Sequence, residues 1–122
     1  MTVPKFRAWD ALARKMIREL LLISYVRNEI IGKYENGSNS NPLKIREEVI
    51  LMQSTGLVDK NGQEIFEGDV VRMRSGELLP VKLHHGMFIP VCFYISSVFE
   101  REGNVFENPE LLEDPDFREE DL

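Results

Sequence analysis

A chain of 122 residues that is 43% hydrophobic and 30% charged can fill one globular core without cross-links, and its lone cysteine excludes an internal disulfide framework and fits a reducing compartment. The net charge of −6 is unevenly spread: residues 100–122 hold ten acidic and two basic side chains, while residues 1–99 hold eleven acidic and thirteen basic ones. The global acidity therefore belongs to the tail, and the body can still present a weakly basic face.

"KFRAWD" alternates large apolar with polar residues and reads as a short strand. The next stretch, "ALARKMIRELLLISYV", supports two readings. Leu12, Met16, Leu20 and Ile23 recur at helical spacing among good helix formers, which predicts a helix over 11–26. In the alternative, "ALAR" turns and "KMIRELLLI" returns as a strand. The amino-terminal residues alternate charge with apolar side chains and do not resemble a signal peptide. "LLLI" at 20–23 is too short to span a bilayer, so a cytoplasmic protein with no membrane partner is expected.

Residues 32–42, "GKYENGSNSNP", form a loop by composition. "VILM" at 49–52 opens a series of short apolar runs broken by Gly56, Gly62, Gly68, Gly76, Gly86 and Gly103. Asn61-Gly62 predicts a hairpin with a type I′ turn. Pro80 and Pro90 lack an N–H and belong at strand edges or bulges. "FIPVCFYI" reads as a β run that buries Cys92 as an inert thiol. This rhythm suggests a small, closed or nearly closed antiparallel barrel. The expected core comprises Phe6, Trp9, Ile50, Leu57, Ile65, Phe66, Val70, Val71, Phe88, Val91 and Phe93. At the carboxyl end, Asn108 as cap and Pro109 at the first position predict a short helix, and Asp114-Pro115 can start another.

Candidate chemistry is thin. With Gly62 placed at the sixth position of a calcium loop, the first and twelfth positions fall on Leu57 and Gly68, where carboxylates are required. His84 and His85 are consecutive on a strand, so they point to opposite faces and cannot readily share a metal. Ser54, Ser96 and Ser97 lack a nucleophile context, and no phosphate-cradling glycine motif occurs. Glu64, Glu67 and Asp69 flank the glycine turns. Asp69 in "EGDVVR" is expected to accept local backbone N–H groups and fix its turn. No cofactor or metal is expected. Arg7 and Trp9 beside Arg72 and Arg74 are the candidate binding surface, with phosphate as one ligand and the acidic tail acting against it.

"KFRAWD", then "KMI", then "LMQSTGLVDKNGQEIFEGDVV" and finally "GNVFENPELLE" together resemble the YopX-like family of small proteins encoded by bacteriophages and prophages. The resemblance implies an SH3-like barrel. It also implies that "KFRAWD…KMI" is a β-hairpin, leaving a helix only around 18–26. It carries no established activity. The expectation is thus a mostly β chain with minor α, in one compact unit. Residues 1–47 form an N-terminal hairpin and flexible loop, 48–104 an SH3-like barrel, and 105–122 an acidic helical tail. The expected role is a phage-encoded, non-enzymatic binding or assembly module with a protein partner or a second copy of itself. The alternative is a nucleic-acid-binding accessory factor whose basic face is modulated by the tail.

Overall fold

A computed structural model of the chain describes residues 5–113. The chain is mostly β, with antiparallel ladders between its named strands. It divides into two compact units, Met1–Gln53 and Ser54–Leu122.

The first unit contains β1 (Phe6–Asp10), β2 (Lys15–Ser24), β3 (Glu29–Tyr34), β4 (Leu43–Lys44) and the first half of β5 (Val49–Val58), in the spatial order β4-β3-β2-β1-β5. The hairpin reading of the first block holds, with Trp9 opposite Met16 and Asp10 opposite Lys15. Of the two readings of 11–26 the helix does not form, nor does the shorter one that the resemblance left room for around 18–26. Its residues from Lys15 to Ser24 belong to β2. The cause is visible at Asp10, whose Oδ1 accepts the N–H groups of Leu12 and Ala13 at 3.1 and 2.9 Å. These bonds, with Arg14 in the left-handed region (φ 56), reverse the chain before a helix can propagate. Strands on both flanks of β2 then override its helical spacing. Ala8, Ile17, Ile30, Leu43 and Val49 form the core of this unit. Gly32 lies close over β2, where a Cβ would meet Ile17 Cγ2 and the Glu19 carbonyl.

The second unit contains the end of β5 with β6 (Glu64–Phe66), a three-stranded sheet and a small hairpin. The sheet runs β11 (Phe99–Asn104), β7 (Asp69–Met73), β8 (Leu78–Pro80), and the hairpin pairs β9 (Lys82–His84) with β10 (Met87–Ile89). Its core gathers Ile65, Val71, Met73, Val81, Val91 and Phe99. The described strands do not close into a barrel: β8 ends one sheet and β9-β10 stands as a two-stranded sheet of its own. Pro80 lies on the edge strand β8, as expected of a residue with no N–H to donate.

Further sequence expectations change here. The Asn61-Gly62 turn reverses the chain, but Gly62 alone has positive φ (79°) and Asn61 does not, so the turn is not type I′. Asp59 dictates this, since its Oδ1 accepts the N–H groups of Asn61 and Gln63, both at 2.9 Å. The run "FIPVCFYI" is not continuous strand. After β10 the Ile89–Pro90 peptide is cis, and 3-10 turns follow at Val91–Phe93 and Ser96–Val98. Val91 is buried, but Cys92 is exposed and Phe93 is 63% exposed, contrary to expectation. Ile50 is also exposed, on the outward side of β5. Where a carboxyl-terminal helix was expected, the described residues hold only a 3-10 segment, Pro109–Glu113. Asn108 turns its Oδ1 to the Asn104 N–H (3.2 Å) rather than capping a longer helix. The second helix start, at Asp114, lies outside the described residues.

Candidate functional site

Of the four residues expected to build a binding surface, two are buried in the first unit. Arg7 is 2% exposed and its Nη2 lies 3.6 Å from Met52 Sδ. Trp9 is 6% exposed, with the Arg14 guanidinium 6.0 Å from the ring centroid. Neither presents a surface to a ligand. Arg7 and Trp9 belong to the packing of β1 against β2 and β5.

Arg72 and Arg74 are exposed, in the second unit. They alternate along and just beyond β7 with Val71 and Met73, which are buried, so both arginines leave the strand on its outer face. A groove of about 300 Å³ runs beside them. Lys60, Ser97 and Glu100 complete its polar lining, and its floor is apolar, formed by the half-buried Val98 over the buried Met73 and Phe99. Glu100 sits opposite Arg72 in the β11–β7 ladder. It pairs with Lys60 Nζ at 3.1 Å and accepts the Asn61 amide at 2.9 Å. Those two donors hold the Glu100 carboxyl below the ordinary carboxylate range. Arg72 Nε pairs with Glu102 at 3.0 Å, and its Nη1 reaches the Gly76 carbonyl at 3.1 Å.

Sequence reasoning found Arg72 and Arg74 but missed Lys60, Ser97 and Glu100. The i, i+2 spacing of Glu100 and Glu102 matches that of the arginines and is the one signal that two strands share this face. The register that puts them side by side is not readable locally.

The acidic residues around the glycine turns act on the backbone. Asp69 is fully buried; its Oδ2 accepts the Phe66 N–H at 2.8 Å and its Oδ1 meets Arg101 Nε at 3.1 Å. Burial alone would push the Asp59 carboxyl up, but backbone N–H bonds from Arg101, Gln63 and Asn61 outweigh it and hold the group below its usual range. Ser54 Oγ donates to Glu64 Oε2 at 2.6 Å and lies on no histidine. In the first unit, burial together with the Asp10 carboxylate, 2.7 Å away, pushes the Tyr34 hydroxyl up to about 12. His84 and His85 are exposed at the β9–β10 turn, their rings 4.0 Å apart. Among the described residues no three His, Cys, Asp or Glu side chains converge on a metal position, and no helix is long and apolar enough to cross a membrane.

Apolar side chains also reach solvent in the second unit. Phe93, Tyr94 and Ile95 are 63%, 52% and 72% exposed in succession, and Leu83 and Met87 of the neighbouring hairpin are exposed as well.

The chain is similar to protein EF1440 from Enterococcus faecalis, a solved crystal structure. The TM-score is 0.68 at 29% identity, over 93% of this chain and 100% of that one. No curated protein matches the chain. The model of the YopX protein family matches residues 5–113 and takes in the hairpin, the glycine-punctuated block and the Asn104–Asn108 turn together, so the chain belongs to the YopX family.

Proposed function

We propose that the chain is a non-enzymatic binding or assembly module, encoded by a phage or prophage, that works in the cytoplasm of the bacterial host. One observation carries this reading: three consecutive large apolar side chains, Phe93, Tyr94 and Ile95, stand in solvent directly after a core residue, Val91, and the exposed Cys92. Single exposed apolar residues are ordinary, but a contiguous group marks a surface that a partner covers. Its partner is another protein or a second copy of the chain. The second unit, with short antiparallel strands separated by tight turns, is proposed to be an open variant of the SH3-like barrel. Within residues 52–71, Asp59 and Thr55 spend their oxygens on backbone groups, and Asp69 divides its own between the Phe66 N–H and Arg101, which supports a scaffold over an active site.

The nucleic-acid alternative draws on the meeting of Lys60, Arg72 and Arg74 in one groove. Glu100 and Glu102 occupy two of those three cations, which weakens it.

The test is co-purification from prophage-induced cells, with sedimentation of the purified protein alongside. A Phe93→Asp/Ile95→Asp variant is expected to lose a partner, or a second copy, that the wild type retains. Equal behaviour of the two proteins would overturn the reading.

A further inference from the structure

The groove beside β7 brings three cationic side chains together, Lys60, Arg72 and Arg74. Arg72 is held by Glu102 and the Gly76 carbonyl, and Lys60 is held by Glu100. Arg74 lines the same groove, yet its guanidinium has no ion-pair or hydrogen-bond partner among the described residues. We propose that this groove binds a single carboxylate, carried on an apolar peptide segment of a protein partner, with Arg74 as the residue that receives it. The proposal does not depend on the apolar surface at Phe93, Tyr94 and Ile95.

Three features favour this ligand. A guanidinium fork matches a carboxylate in two parallel hydrogen bonds, and the Ser97 hydroxyl in the same lining offers a further donor. Of the apolar lining, Met73 and Phe99 are buried, and the part a flanking apolar side chain can reach is the half-buried Val98. Glu100 inside the groove, and Glu102 bonded to Arg72, oppose a polyanion while leaving room for one negative charge. A phosphodiester chain would bring successive charges against those glutamates. It would also find no stacking platform, because Phe99, the one aromatic residue of the lining, is 1% exposed.

The experiment is an NMR titration of the isotope-labelled full chain. The probes are a capped peptide with one glutamate between leucines, its glutamine counterpart, inorganic phosphate and a single-stranded thymidine oligonucleotide. The glutamate peptide is expected to give saturable shifts at the amides of residues 72–76 and 97–100, weakening as ionic strength rises. Arg74→Gln is expected to weaken that binding by about tenfold with the rest of the spectrum unchanged. Glu100→Gln, which removes a competing carboxylate, is expected to strengthen it. The Phe93→Asp/Ile95→Asp variant is expected to titrate as wild type, which separates this site from the apolar surface. No saturable shift, equal binding of the glutamine peptide, no effect of Arg74→Gln, or tighter binding of phosphate or the oligonucleotide would each overturn the proposal.

Discussion

In the first unit β2 has ten residues and is flanked by partners on both sides, whereas in the second unit β6, β8, β9 and β10 have three residues each. A long strand satisfies its own backbone through its ladders. Three-residue strands leave backbone groups at every end, and a buried N–H without an acceptor is costly. The second unit answers with side chains. Asp59 accepts three backbone N–H groups, Asp69 accepts one and a guanidinium, and Asn104 Oδ1 takes the N–H groups of Phe106 and Glu107 at 3.0 and 2.8 Å. The first unit uses the same device through Asp10, Ser24, Asn36, Ser40 and Glu48, but of these acceptors only Asp10 and Ser40 are buried, whereas Asp59, Asp69 and Asn104 all are. Short-strand architecture therefore turns polar residues into structural members, and that leaves fewer of them for chemistry.

Apolar truncation should strike both units alike and so sets the scale. Phe99→Ala in the second unit and Ile17→Ala in the first, each fully buried, are expected to cost about 3–5 and about 2–5 kcal/mol in urea unfolding. Polar truncation should then separate the units. Asp69→Ala removes the acceptor of Phe66 and the partner of Arg101, and is expected to cost about 2–4 kcal/mol, with faster hydrogen exchange at Phe66. A loss no larger than that of an exposed acidic residue would erase the distinction. Gly32→Ala tests the first unit by close packing: the new methyl group meets Ile17 and the Glu19 carbonyl, for an expected cost of about 1–3 kcal/mol.

Acid should sharpen the contrast further. The Asp59 carboxyl, which burial alone would raise, is lowered by its backbone donors, so folding favours its charged form. The stability it contributes is fully present above its unfolded value, about 3.9, and is lost as the pH falls through the lower folded value. Asp59→Asn is expected to flatten that acid limb in thermal unfolding followed from about pH 6 to pH 2. The smallest effect belongs to Glu102→Gln, which breaks a partly exposed pair with Arg72 and is expected to change stability by about 0.5 kcal/mol or less.

The turns were legible in the sequence because glycine and aspartate act within a few residues of themselves. Asp69 was read as a turn-fixing acceptor, and the Phe66 N–H bears that out. Residues 11–26 are ambiguous from the residues alone because Leu12, Met16, Leu20 and Ile23 fit a helix locally, while Asp10 and two flanking strands decide for the hairpin. Arg7 was placed on the surface because a charged residue is rarely buried; its burial depends on β5, some forty-five residues away in sequence. Half of the groove was visible in the spacing of Arg72 and Arg74. Lys60 and Glu100 join it through a register that only the assembled sheet defines.

Cys92, the chain's one cysteine, is solvent-facing and immediately precedes Phe93. It is therefore a ready-made single attachment point for a fluorophore or crosslinker at the border of the apolar run, where a covering partner would change the signal directly. The same thiol can join two copies covalently once the buffer turns oxidising, so a dimer counts as association when it survives a reductant.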